Sequence, residues 1–129
     1  MAARLQRLFL RVVATDSRAA RGDDGIWTAP CLHCQSPCAV HADGRPLGAT
    51  TLEHIVPRSW FGRVAARELT ARVGDPDVDA NLALACARCN QQKGKTHDAD
   101  GPSNPRAREV VANLLDRRTT RLRQPVELA

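Results

Sequence analysis

The chain has 129 residues, room for one ordinary domain and too few for two, and with 43 % hydrophobic residues it is not a disordered composition. A net charge of +5 and a pI of about 9.4 favour a polyanionic partner. No run of about 18 apolar residues occurs, which excludes an ordinary membrane-spanning helix.

Residues 2–14 have helical periodicity, with Leu5, Leu8, Phe9, Val12 and Val13 on one side. Arg4, Arg7 and Arg11 interrupt this stretch, so no signal-peptide core is expected in it. A cytoplasmic, reducing location is therefore the expectation, and there paired cysteines are more often metal ligands than disulfides. After a polar stretch from Thr15 to Gly25 come a turn at Cys31–Cys34 and two short strands, Cys38–Ala42 and Ala49–His54, with Asp43-Gly44 as the hairpin dipeptide. Residues 59–73 read as a helix stopped by Gly-Asp-Pro-Asp at 74–77. A strand, Asn81–Ala85, leads into Cys86–Cys89, a short helix begins near Asn90, and a polar loop runs from His97 to Asn104. The last helix, about 105–120, starts on Pro105 with Asn104 or Ser103 as cap, and buries Val110, Val111, Leu114 and Leu115. One domain, 1–129, is the expected organisation.

Cys31-Leu-His-Cys34 and Cys86-Ala-Arg-Cys89 are two CxxC pairs. Each presents two thiolates for one edge of a tetrahedron, and together they complete a zinc site. Fifty-one residues separate Cys34 from Cys86, against about 15–20 in a simple zinc ribbon. The longer loop costs only about 1 kcal/mol more to close, far less than the roughly 10–16 kcal/mol of structural zinc binding. Cys38 reads as a small buried hydrophobe rather than a fifth ligand.

Within the loop lie Glu53-His54-Ile55-Val56-Pro57 and Asn81-Leu82, and the second pair continues as Cys89-Asn90-Gln91-Gln92-Lys93-Gly94. Five elements in this order, spanning 31–94, resemble the HNH endonucleases with a four-cysteine zinc site. The resemblance implies an α+β fold: a ββα-metal core, pinned by the zinc knuckle and flanked by the N- and C-terminal helices. It implies phosphodiester hydrolysis in DNA, with His54 as general base and Glu53 and Asn90 as ligands of a catalytic divalent cation. Asn81 holds the loop that orients His54, and Lys93 meets a phosphate. Glu53 stands where Asp is common in the family, and Gly94 where some relatives carry a histidine. The cation site is thus oxygen-rich and suits Mg²⁺ or Mn²⁺.

The residues admit plainer roles too. Asn90 could cap its helix, Asn81 could be a turn residue, and Lys93 could be solvated. Lys95, the other lysine of the chain, and Arg58 are expected to contact nucleic acid with Lys93; Arg58, Arg63, Arg67 and Arg72 together form either a solvated charged face or a phosphate-tracking surface, and Arg117, Arg118, Arg121 and Arg123 pose the same choice. His33, His41 and His97 receive no role, His33 being expected to face outward. Glu53 and His54, adjacent in sequence, point to opposite faces of a regular strand, so sharing one site needs the strand to end or bend there. The rival readings are a non-catalytic, zinc-dependent DNA-binding module and a structural zinc protein in a larger assembly. Target sequence and oligomeric state are not encoded in any motif.

Overall fold

A computed structural model describes residues 2–128, so the two ends of the expected 1–129 domain lie outside the described residues. Helix α1 (Ala2–Thr15) is followed by strands β1 (Ala20–Arg21), β2 (Trp27–Pro30), β3 (Pro37–Val40), β4 (Pro46–Leu47) and β5 (Thr50–His54). Two 3₁₀ turns (Arg58–Trp60 and Val64–Ala66) lead to α2 (Arg67–Val73), and a third (Asp79–Asn81) precedes β6 (Leu82–Cys86). Helix α3 (Ala87–Lys93) runs on through a π-helical turn, Gly94–Asp98, and α4 (Pro105–Arg121) closes the fold. This is the α+β class expected. Among the described residues no helix is long and apolar enough to cross a membrane.

The pairing differs from the expected hairpin. Asp43-Gly44 does turn the chain, with Gly44 N donating to His41 O (2.9 Å), but it joins β3 to β4 in a four-stranded antiparallel sheet ordered β1-β2-β3-β4. Gly44 is required twice: its φ is +95°, and a Cβ there would stand 2.4 Å from the backbone oxygen of Gln6 on α1. Strand β5 pairs instead with β6, from Thr50↔Cys86 to His54↔Leu82. Ala83 of β6 packs in one buried cluster with Ile55, Val56, Trp60, Val111 and Leu115. Leu82 and Leu84 pack in another with Phe9, Val13, Trp27 and Val40. With both faces covered, β6 reads as the unbroken apolar run Leu-Ala-Leu-Ala.

The expected helix over 59–73 is broken in the structure. Phe61 is extended and Gly62 has a φ of +86°, and a regular helix cannot pass through these conformations. Helix α3, by contrast, starts earlier than expected, inside the second CxxC. Asn104 caps α4 as expected, accepting from Arg106 N (2.9 Å) and Ala107 N (3.1 Å). Near the chain ends, buried Asp16 accepts from Arg121 Nε (3.1 Å), and Arg123 N donates to Thr15 O (2.9 Å). Arg118 Nη2 reaches Thr15 Oγ1 (2.8 Å) from a fully buried position. Arg118 thus ties α4 to the end of α1, and Arg121 ties it to Asp16 just beyond, so both belong to neither a solvated face nor a phosphate track.

Candidate active site and metal centre

The two knuckles meet. The Sγ atoms of Cys31, Cys34, Cys86 and Cys89 all lie within 4.8 Å of one another, with Cys34 and Cys86 3.9 Å apart. At a Zn–S bond of about 2.3 Å the edge of a tetrahedron is about 3.8 Å, so the four thiols fit zinc. Gln35 takes a left-handed φ of +68°, which turns the chain after Cys34. Cys31 Sγ accepts from His33 N (3.4 Å) and Cys86 N (3.3 Å). Cys34, bonded to Ser36, has its thiol lowered to about 6, while burial pushes Cys89 up. A divalent cation resolves that opposition, because it favours thiolate at all four positions. Cys38 is buried in the core beside β2, outside this cluster, and burial holds its thiol up at about 11.

Strand β5 carries the remaining chemistry on its two faces. It stays regularly paired up to its end at His54, so Glu53 and His54 do face opposite sides, and the bend that would bring them into one site is absent within β5. His54, with its side chain 24 % exposed, borders a groove of about 290 Å³ with Arg4, Leu5, Leu8, Leu52, Arg58 and Asp77. Its Nε2 is 2.7 Å from Asp77 Oδ1, and Arg58 Nη1 donates to the same oxygen (3.0 Å). Arg4 pairs with the other oxygen. The bond from His54 first, then those from Arg58 and Arg4, hold the Asp77 carboxyl below the usual range. A larger concavity of about 640 Å³, under Arg11, Asp79 and Arg123, contains none of the expected site residues.

Asn81 is fully buried and ties the chain beyond His54 to the loop before itself. Its Oδ1 accepts from Val56 N (2.7 Å), and its Nδ2 donates to Val56 O (3.1 Å) and Pro76 O (3.0 Å). Asn81 thus bridges the chain just beyond His54 and the residue next to Asp77.

On the other face, Glu53 is 0 % exposed. His33 Nε2 donates to its Oε1 (2.6 Å), so His33 faces inward and the expectation that it faces outward is corrected. Glu53 Oε2 has no hydrogen-bond donor and faces Lys93 Nζ at 3.4 Å. Lys93 is itself 2 % exposed and donates to both oxygens of Asp98 (2.8 and 2.9 Å). Burial raises the Asp98 carboxyl against the pull of that ammonium. The expected phosphate contact of Lys93 is therefore corrected: the side chain is enclosed by carboxylates, with no surface to offer a phosphate. Lys93→Ala is expected to cost about 3 kcal/mol of stability, because it strands a buried carboxylate. Denaturant unfolding checks this, and an unchanged midpoint would contradict it.

Asn90 turns its amide nitrogen toward β5, donating to Thr51 Oγ1 (3.0 Å) and Leu52 O (3.3 Å). A carbonyl only accepts, so the nitrogen must be the branch facing Leu52, and the amide oxygen is used in neither bond. Thr51 and Glu53, two apart on β5, share this face. A carboxylate oxygen with no hydrogen-bond donor, though ion-paired with Lys93 at 3.4 Å, and an amide oxygen used in neither bond are donors of the kind that a hard divalent cation takes. In donor type they fit Mg²⁺ or Mn²⁺. Lys95 is exposed and lines a shallow concavity with Arg88, Gln91, Gln92 and Thr96, and Arg58 is exposed while bonded to Asp77.

Two residues in contact with the expected site have no role in the sequence reading: His33, whose place inside a CxxC suggests an outward side chain, and Asp77, whose Gly-Asp-Pro-Asp reads as a helix stop alone.

A protein-family model described as HNH endonuclease matches residues 31–96, about half of the chain. Neither the curated proteins nor the solved structures compared with the chain include a match. The matched span begins at the first zinc-knuckle cysteine and takes in β5, Asn81, β6 and α3, the elements that bring His54, Glu53 and Asn90 around one strand, and the chain belongs to the HNH endonuclease family.

Proposed function

We propose that the protein is a metal-dependent DNA endonuclease or nickase that hydrolyses phosphodiester bonds with His54 as general base. The observation that carries this reading is the His54 ring itself, at the end of a paired strand and at the rim of a groove, with two arginines beside it. Its Nε2 faces a carboxylate, which only accepts, so Nε2 carries the hydrogen, and in the neutral ring the lone pair is then on Nδ1. An imidazole in that form takes a proton from water near neutral pH. The water attacks phosphorus in line with the 3′ oxygen, the P–O3′ bond breaks, the leaving oxygen takes a proton from solvent, and the products are a 5′-phosphate and a 3′-hydroxyl. Arg58, Arg4 and Lys95 supply positive charge to the DNA backbone, consistent with the basic balance of the chain.

Glu53 and Asn90 would hold the catalytic Mg²⁺ or Mn²⁺. When bound, the ion neutralises charge on the phosphate and the leaving oxygen. Asn81 keeps the end of β5 in place throughout.

A second reading, a zinc-dependent DNA-binding module without catalysis, is favoured by one observation: Glu53 is fully buried and already faces Lys93 and His33. Added cation separates the two readings. The zinc-loaded protein is expected to nick supercoiled plasmid on addition of Mg²⁺ or Mn²⁺, and chelation that leaves the zinc in place is expected to abolish nicking. DNA binding with no nicking under either cation would favour the module.

A further inference from the structure

Asp77 has more side-chain partners than any other residue at the end of β5. His54, Arg58 and Arg4 converge on its carboxylate from β5, from the following 3₁₀ turn and from α1. Its own backbone N–H donates to Asp75 Oδ1 (3.1 Å), which closes the local turn. The preceding carbonyl, Pro76 O, is held by Asn81 (3.0 Å). The side chain is 17 % exposed. A surface ion pair between two mobile side chains is seldom so constrained. Here the carboxylate is fixed by its backbone and by two guanidinium groups before His54 is considered.

His54 has no comparable anchoring of its own. The groove it borders is lined by Leu5, Leu8 and Leu52 besides Arg4, Arg58 and Asp77, and the leucines offer the ring no hydrogen bond. Among the described residues, Asp77 is the one hydrogen-bond partner of the imidazole. A general base must present one particular nitrogen, in one orientation, to the water it activates, and the partner of the other nitrogen decides which.

We propose that Asp77 is the positioning residue for His54, accepting the Nε2 hydrogen so that the ring is held in one tautomer with Nδ1 turned to the attacking water. The role rests on the nuclease reading for its chemistry. Asn81 then has a double duty, because it binds Val56 beyond His54 and Pro76 beside Asp77, and so sets the distance between the two partners.

The rival for the same geometry is a latch, in which Asp77 covers the ring until DNA draws the arginines away. The two roles predict opposite signs. For positioning, Asp77→Asn lowers the single-turnover cleavage rate at saturating DNA about a hundredfold, the scale of a misplaced catalytic group. DNA affinity does not fall, since the substitution removes no positive charge, and any gain would come from Arg4 and Arg58 freed of their partner. Adding Asp77→Asn to His54→Ala produces no further loss, because the aspartate acts only through the imidazole.

The experiment is this cycle, run on the full zinc-loaded chain with plasmid DNA and Mn²⁺. It is paired with ¹⁵N spectroscopy of the His54 ring in the wild type, which needs neither cleavage nor a folded variant. The expected spectrum is the neutral Nε2–H tautomer. An Nδ1–H tautomer in the wild type overturns the proposal, as does Asp77→Asn that cuts as fast as the wild type or faster. A wild type that binds DNA but never cuts removes the nuclease reading first, and the catalytic role of Asp77 with it. An Nε2–H spectrum in that inert protein would trace the failure to the activity and not to the pairing.

Discussion

Replacing His54 with alanine is expected to lower DNA cleavage at least about a hundredfold while leaving the rest of the protein intact. General-base catalysis is typically worth about 10²–10⁴-fold, or roughly 3–5.5 kcal/mol of barrier. The structure explains why this loss stays separate from folding. The ring lies at the rim of a groove, partly exposed, so its removal opens no closed cavity. The packing is carried by the next two residues, Ile55 and Val56, both fully buried. The link from β5 to α3 at this point uses the carbonyl of His54, which accepts from Lys93 Nζ (3.4 Å) and survives the substitution. Asp77 keeps Arg4 and Arg58 as partners. The variant should therefore retain its zinc, its DNA affinity and a melting temperature within a few degrees of the wild type. Near wild-type cutting by this variant would refute the assignment of the base. Unfolding would make His54 structural and favour the binding module.

Cys86→Ala is expected to do the reverse and lose fold, zinc and activity together. The wild type should carry about one tightly held zinc per chain, as the single four-thiol cluster among the described residues requires. Structural zinc contributes roughly 10–16 kcal/mol in small domains, comparable to the whole stability of an ordinary one. Cys86 also ends β6 and starts α3, so the opened clamp frees the strand that pairs with β5. Cys38→Ala, at the buried cysteine outside the cluster, should keep the metal. Metal analysis and circular dichroism check all three chains. A wild type without zinc and with five freely titratable thiols would contradict the clamp, as would Cys86→Ala melting with the wild type.

The contrast between these variants follows how the site was legible in the sequence. CxxC spacing reports metal geometry directly, because two thiolates three apart must reach one ion, and both pairs meet as expected. The Asn104-Pro105 cap and the apolar stripe of α1 are local signals; the cap holds, and the stripe buries Phe9, Val12 and Val13 but leaves Leu5 exposed. Long-range pairing was not legible. Strand β5 was expected to return to Cys38–Ala42, but the Asp43-Gly44 turn is used up by β4, and β5 takes the apolar strand some thirty residues onward. The break at Gly62 depends on a positive φ that the helical period of 59–73 concealed.

Charge was legible in amount but not in direction. Lys93 follows Asn90 by three residues, so it lies on the same face of α3 and points at β5. There the buried carboxylate of Glu53 and the half-buried one of Asp98 meet it. A lysine beside a zinc knuckle in a basic chain reads as a DNA contact until those partners are seen. Asp77 is the converse case: an acidic residue in a loop, made specific only by the return of that loop to His54 through Asn81.

The most direct test of the account is the chemistry of the ends it leaves. Supercoiled plasmid is cut by the purified zinc-loaded protein with Mn²⁺, and the nicked circles are treated with DNA ligase. In-line attack by water with departure of the 3′ oxygen predicts 5′-phosphate and 3′-hydroxyl termini, so ligase should reseal the nicks without any other treatment. Nicks that ligase cannot close until a 3′-phosphate is removed, or plasmid that is bound and never nicked, would contradict it.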